Sequence, residues 1–169
     1  MPAWADDPRF QKLYRTLKAQ LDGDLRREHS SELFSRRCAA LFSLLDSEEA
    51  DQQQQRRRRR RRRHWLDQEQ LCQAVHMLFE ANRRTPDGVE MAVGPMAQEA
   101  CEQLMQEGVP GRVLLPQFRD YMAEVCSLIK GQQMVLWISR IHRAVLGGVP
   151  LEAIQVELER PPDRDPRRH

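Results

Sequence analysis

Arg56, Arg57, Arg58, Arg59, Arg60, Arg61, Arg62 and Arg63 form an unbroken run of guanidinium groups in the middle of the chain. Such groups grip phosphate oxygens and release counterions, giving nucleic-acid binding that weakens steeply with salt. A basic run of this length also has the composition of a nuclear import signal. Only Trp65 adjoins it as a stacking platform for a base, and four glutamines, Gln52 to Gln55, precede it. A low-complexity basic loop is therefore the plainer reading. Glu48, Glu49 and Asp51 lie just upstream and offset part of its charge.

Cys72 and His76 stand four residues apart, one helical turn, and could share a metal ion. A structural zinc site needs four ligands, and no second pair repeats the spacing. A core thiol beside a partly exposed imidazole explains the pair as well. The chain has no GxSxG, no phosphate-cradling glycine loop and no HExxH, so no catalytic residue is assigned and a non-enzymatic role is expected.

The 169 residues suffice for one domain with tails. At 40% hydrophobic and 31% charged, they can build a core beneath a heavily charged surface. The formal net charge of +2 conceals two parts. Setting aside the eight arginines leaves 19 basic against 25 acidic residues, a net of −6. The body is acidic and carries one concentrated basic segment. Cys38, Cys72, Cys101 and Cys126 form no CxxC pair and lie along apolar stripes, as buried thiols in a reducing compartment would. No window approaches the ~18 apolar residues of a membrane span. The opening MPAWADDPRF has no apolar secretory core. The expected setting is cytoplasmic, with the nucleus open through the arginine run.

The elements that must position these residues read as helices. Phe10, Leu13, Tyr14, Leu17 and Leu21 share one helical face, after a start at Asp6, Asp7 and Pro8, with Gly23 loosening or ending the helix. Phe34, Cys38, Leu41, Phe42 and Leu45 form a second stripe, capped by Ser30 or Ser31. A Gln/Arg insertion over 47–64 is expected to be solvated and unstructured. Leu66, Leu71, Val75, Leu78 and Phe79 resume the helical pattern, and Asn82 to Pro95 reads as a loop. Ala97, Ala100, Cys101 and Leu104 precede a break at Glu107 to Gly111. Phe118, Tyr121, Met122, Val125 and Ile129 come next, and Gly131 separates them from Met134, Trp137, Ile138, Ile141 and Val145. A short helix, Leu151 to Glu159, and a polar, unstructured tail, 160–169, end the chain. The fold class expected is all-α: an N-terminal helical extension over 1–30, a paired unit over 31–130, and C-terminal amphipathic helices over 131–159.

A finer pattern occurs twice. Leu66 precedes Leu71 by five residues and Val113 precedes Phe118 by five, each with apolar helices before and after. This arrangement resembles a pair of EF-hands, and Gly111-Arg112-Val113 resembles the Gly-x-Ile/Val of that family's loop. The resemblance covers roughly Phe34 to Ile129; another small helical bundle and a fold with a substantial sheet are the alternatives. It implies that Leu66 and Val113 pair in a minimal two-stranded sheet. It also implies oxygen ligands at loop positions 1, 3 and 5 and a bidentate carboxylate at 12. With Val113 at position 8, the second loop runs Gln106 to Gln117 and places Gln106, Gly108, Pro110 and Gln117 at those positions. Only the glycine at position 6, Gly111, matches. The first loop would run from Asp46 to Gln70, 25 residues where the family has twelve, and the Gln/Arg tract supplies most of the excess. Lengthening a loop that wraps no metal costs little closure entropy.

The resemblance thus implies a calcium-independent interaction module, a regulatory or scaffold subunit without a cofactor, in a cytoskeletal or ciliary assembly by analogy. Its partner would be an amphipathic helix laid on Phe34, Leu41, Phe42, Leu71, Val75, Phe79, Phe118, Met122 and Val125, residues of a groove or core. Trp137 and the stripe around it would pack into the core, fill the groove, or dock a partner. Two alternatives stay open: a calcium sensor using Asp46, Glu48, Glu49 and Asp51, and nucleic-acid binding through the arginine run.

Overall fold

The computed structural model describes residues 2–54 and 64–154, with side chains for 2–46 and 64–154. A 3-10 helix, Ala3–Asp6, leads into α1 (Pro8–His29), followed by α2 (Glu32–Gln54), α3 (Gln68–Ala81), α4 (Val93–Glu107) and α5 (Leu115–Leu146). Residues 151–154 are helical as well. Among the described residues, β pairing is confined to two isolated antiparallel bridges, Leu66 with Val113 and Arg84 with Glu90.

The helix starts follow from local chemistry. At α1 the Asp7 carboxylate accepts the Arg9 N–H at 3.1 Å, and Pro8 begins the helix where a missing N–H costs nothing. Ser31 Oγ accepts the Phe34 N–H at 3.1 Å at the start of α2. Asp67 and Gln70 make a reciprocal capping box on α3. α4 stops at Gly108, whose φ of +92° is left-handed backbone that a Cβ would strain.

Two hydrophobic clusters result. The larger joins α2, α3, α4 and the first half of α5 around Phe42, Leu71, Phe79, Phe118 and Met122. Phe42 and Phe118 meet edge to face, centroids 5.6 Å apart. The smaller joins the N-terminal residues Trp4 and Phe10 to Met134, Ile138, Ile141 and Leu151, with Leu13, Tyr14, Leu17, Leu21 and Trp137 packed around it. The Trp4 indole N–H donates to Ser139 Oγ at 2.9 Å, and Arg119 donates to the His29 carbonyl at the end of α1 at 2.7 Å. α5 is therefore the rod on which both clusters are built.

Several expectations are corrected. Gly131 does not divide α5, and Gly23 does not end α1. A mid-helix glycine costs only about 1 kcal/mol against alanine. At Gly131 that cost is small beside the burial of Ile129 on one side and Met134 on the other. The boundary drawn at 131 between a paired unit and separate C-terminal helices therefore falls inside a continuous helix. α2 runs to Gln54, so residues 47–54 are helical rather than an unstructured insertion. The rest of the tract, including Arg56 to Arg63, lies outside the described residues, as do 155–159 of the short terminal helix and the 160–169 tail. The loop after α3 is shorter than expected, because α4 begins at Val93 and takes Pro95 into its first turn, where no intrahelical N–H is needed. The stripe from Met134 to Val145 enters the smaller cluster against α1 and leaves the groove beside α2 and α3 unfilled.

Candidate functional site

The connections α2–α3 and α4–α5 meet at the Leu66–Val113 bridge. The Leu66 N–H donates to the Val113 carbonyl at 2.9 Å, and the Val113 N–H donates to the Leu66 carbonyl at 2.8 Å. Both side chains are 0% exposed. Neighbouring residues extend the contact. The Arg112 guanidinium lies over the Trp65 ring, 5.0 Å from its centroid, and Gln68 Nε2 donates to the Val109 carbonyl at 2.7 Å. The two loops are thus joined by backbone, cation–π and side-chain contacts.

Side chains of this chain hold each loop from within. Asp46 is 2% exposed, and its Oδ2 accepts the His64 N–H at 3.2 Å. That bond catches the chain at a residue with φ +65°, a conformation uncommon outside glycine. Gln70 Oε1 accepts the Asp67 N–H at 3.0 Å, while its Nε2 donates to the Leu45 carbonyl at 3.0 Å. The Gln70 amide therefore ties the start of α3 to α2 at Leu45. Gln117 Oε1 accepts only the local Leu114 N–H, at 3.1 Å, in an exposed setting.

These residues do not suit a calcium ion. The Gln106–Gln117 loop has its one carboxylate at Glu107, position 2, and none at positions 1, 3, 5 and 12, and the carbonyl oxygen of Gln117 is already engaged. In the first loop a partly positive amide N–H reaches the Leu45 carbonyl, next to Asp46. Glu48 and Glu49 lie along α2, and their side chains are outside the described set. Among the described residues no group of three His, Cys, Asp or Glu is placed to hold a metal, Cys72 and His76 included.

At the other end of α3 from the joined loops lies a cavity of 320 Å³ between α2, the end of α3 and the middle of α5. Phe34, Cys38, Leu41, Leu78, Ala81, Met122, Cys126 and Ile129 line it, with Glu28, Arg37 and Lys130 among the lining residues. A second hollow of 390 Å³ between α1 and α5 is lined by Leu17, Leu21, Leu25, Met134 and Trp137. Glu28 and Lys130 line both, so the two hollows adjoin. Of the residues expected in a groove or core, Phe34, Leu41 and Met122 reach the first hollow and Trp137 the second. Phe42, Leu71, Val75, Phe79, Phe118 and Val125 are buried within the larger cluster.

The sequence reading missed three features of the site. Arg37 and Lys130 beside the cavity sit on polar helix positions, where charge is the default and carries no signal. The Asp67-x-x-Gln70 capping box had a readable signature, an acidic cap followed three residues later by glutamine. The third is the clamp on the loop after α3. Arg140 donates to Asp87 Oδ2 at 2.6 Å and Oδ1 at 2.5 Å and to Thr85 Oγ1 at 2.8 Å, and Gln133 donates to the Asn82 and Arg84 carbonyls at 2.5 and 3.0 Å. The Arg140 guanidinium holds the Asp87 carboxyl down at about 2, against the opposing effect of partial burial, with Thr85 adding to the lowering.

The described helices include none long and apolar enough to cross a membrane. Set against family models, curated proteins and solved structures, the chain matches none of them.

Proposed function

We propose that this protein is a metal-independent interaction module, an EF-hand-like pair whose loops are held by their own side chains and whose cavity receives an amphipathic helix of a partner protein. The observation that carries the reading is the 320 Å³ cavity, lined by Phe34, Leu41, Leu78, Met122 and Ile129, with two cations beside it. Arg37 and Lys130 make no ion pair among the described residues. The matching ligand has two or three apolar side chains at i, i+4 and i+7, with acidic residues flanking them. Burying its apolar face would contribute roughly 25 cal/mol per Å² before ordering costs, and the flanking carboxylates would fix its direction through the two cations. A regulatory or scaffold role follows from binding without catalysis.

The test is an NMR titration of the full chain with a synthetic helix bearing Leu at i, i+4 and i+7 and flanking glutamates. A scrambled peptide of the same composition serves as control. Saturable shifts centred on Leu41, Leu78 and Ile129, weakened about tenfold by Arg37→Glu with Lys130→Glu, support the reading. Equal response to both peptides, or shifts on another face, rejects it.

A further inference from the structure

The two hollows form one trough along α5. From that helix the first takes Met122, Cys126, Ile129 and Lys130, and the second takes Lys130, Gln133, Met134 and Trp137. These positions advance in helical steps of three and four, with neighbours at 129–130 and 133–134, so they share one face of α5. That face runs about 22 Å from Met122 to Trp137. α2 contributes Phe34, Cys38 and Leu41 to the first hollow, and α1 contributes Leu17, Leu21 and Leu25 to the second. Charge is graded along the trough. Arg37 lines the first hollow alone, Glu28 and Lys130 stand where the two join, and Asp24 lines the second alone. Glu28 makes no ion pair among the described residues, and Asp24 pairs only with the exposed Arg27.

We infer that the partner helix continues from the first hollow into the second and is anchored there by a fourth apolar side chain, at i+11, with basic residues beside it. The inference rests on the helix-receiving reading of the first hollow. Position i+11 lies about three turns from i on the same face. For a helix laid alongside α5 that is the separation of Cys126, in the first hollow, from Trp137, in the second. A continuous alkyl chain threading both hollows would pass Glu28 and Lys130 without hydrogen-bonding either, whereas a helix carries polar residues between its anchors. Glutamates beside i and i+7 meet Arg37 and Lys130, and lysines beside i+11 meet Glu28 and Asp24. The graded charge thus fixes the direction in which the partner lies, because a reversed helix sets like charges together at both ends.

The experiment titrates the full chain with two synthetic helices of equal length. Both bear Leu at i, i+4 and i+7, glutamates beside i and i+7, and lysines beside i+11; one has Leu at i+11 and the other Ala. Calorimetry should show the Leu peptide binding about tenfold tighter, the worth of one buried leucine side chain after ordering costs. Its NMR shifts should include Leu21, Met134 and the Trp137 indole, which the Ala peptide leaves in place. Gln20 is exposed at the second hollow, and Gln20→Trp sets a ring there. That variant, its fold verified by circular dichroism, should erase the tenfold difference and bind the Ala peptide as the native chain does. Exchanging the glutamates and lysines of the Leu peptide should weaken it about tenfold; unchanged binding would overturn the assigned direction. Equal binding of the Leu and Ala peptides, with shifts confined to Leu41, Leu78 and Ile129, would overturn the second anchor and leave the first hollow's role standing. A tenfold difference that survives Gln20→Trp would overturn the anchor's place. Binding of neither peptide would overturn both readings.

Discussion

The stretches Asp46–Gln70 and Gln106–Gln117, which carry the α2–α3 and α4–α5 connections, share one backbone bridge and end on the same residue type, yet they are held in different ways. In the first, Gln70 is buried and works at both ends, accepting from Asp67 and donating to Leu45. In the second, Gln117 is exposed and closes only its own helix start, while Gly108 turns the chain without a side chain. The longer loop thus has an internal brace, and the shorter one needs little beyond its turn. A long connection gains from such a brace: the closure entropy grows slowly with length, but the two ends still need a specific tie.

Substitutions can break or sharpen this contrast. The largest effect is expected where the loops meet. Leu66→Ala leaves a void at a fully buried position and should lower the unfolding free energy by about 2–4 kcal/mol, read from urea denaturation. A change below about 1 kcal/mol would mean that the bridge does not join the loops. Gln70→Ala comes next, at roughly 2 kcal/mol, because it removes two hydrogen bonds of a buried side chain, one to the Asp67 N–H and one to the Leu45 carbonyl. Gln117→Ala should cost no more than about 0.5–1 kcal/mol, the range of an exposed cap. Equal costs for the two glutamines would erase the distinction between the loops.

The tie between the α3–α4 loop and α5 supplies a third test. Asp87→Asn removes a partly exposed, bidentate ion pair and should cost about 1 kcal/mol at neutral pH. Because the folded-state pKa lies near 2, below the ordinary value of 3.8, the pair's contribution is present above the ordinary value and is lost as pH falls toward 2. The native chain and the variant should therefore converge between about pH 4 and pH 2. Parallel stability curves over that range would show that the clamp carries no such linkage. The smallest effect has the opposite sign. A Cβ at Gly131 meets nothing within 4 Å, so Gly131→Ala should stabilise the protein by about 0.5–1 kcal/mol if α5 is one continuous rod. Destabilisation would instead mark a required bend.

How much of this was legible in the sequence depends on how local each signal is. The helical stripes were readable because burial repeats with the helical period, from Phe34 to Leu45 and from Phe118 to Ile129. The meeting of Leu66 and Val113 was implied by the resemblance to paired EF-hands, which a repeated five-residue spacing suggested. The continuity of α5 was not readable, since Gly131 breaks helices by propensity and is overruled only by packing on both sides. The cavity was equally hidden. Leu41 lines it and Phe42 fills the core, though both are apolar residues of one stripe. Arg140 and Asp87 are 53 residues apart, and no pattern of charge announced their pairing.

The most direct measurement is a calorimetric titration of the full chain with calcium, paired with thermal unfolding in calcium and in chelator. Loops organised by Gln70, Gln117 and the Leu66–Val113 bridge predict no saturable heat up to about 1 mM calcium and superimposable unfolding curves. Saturable binding at micromolar calcium, with a higher unfolding temperature in calcium than in chelator, would contradict them.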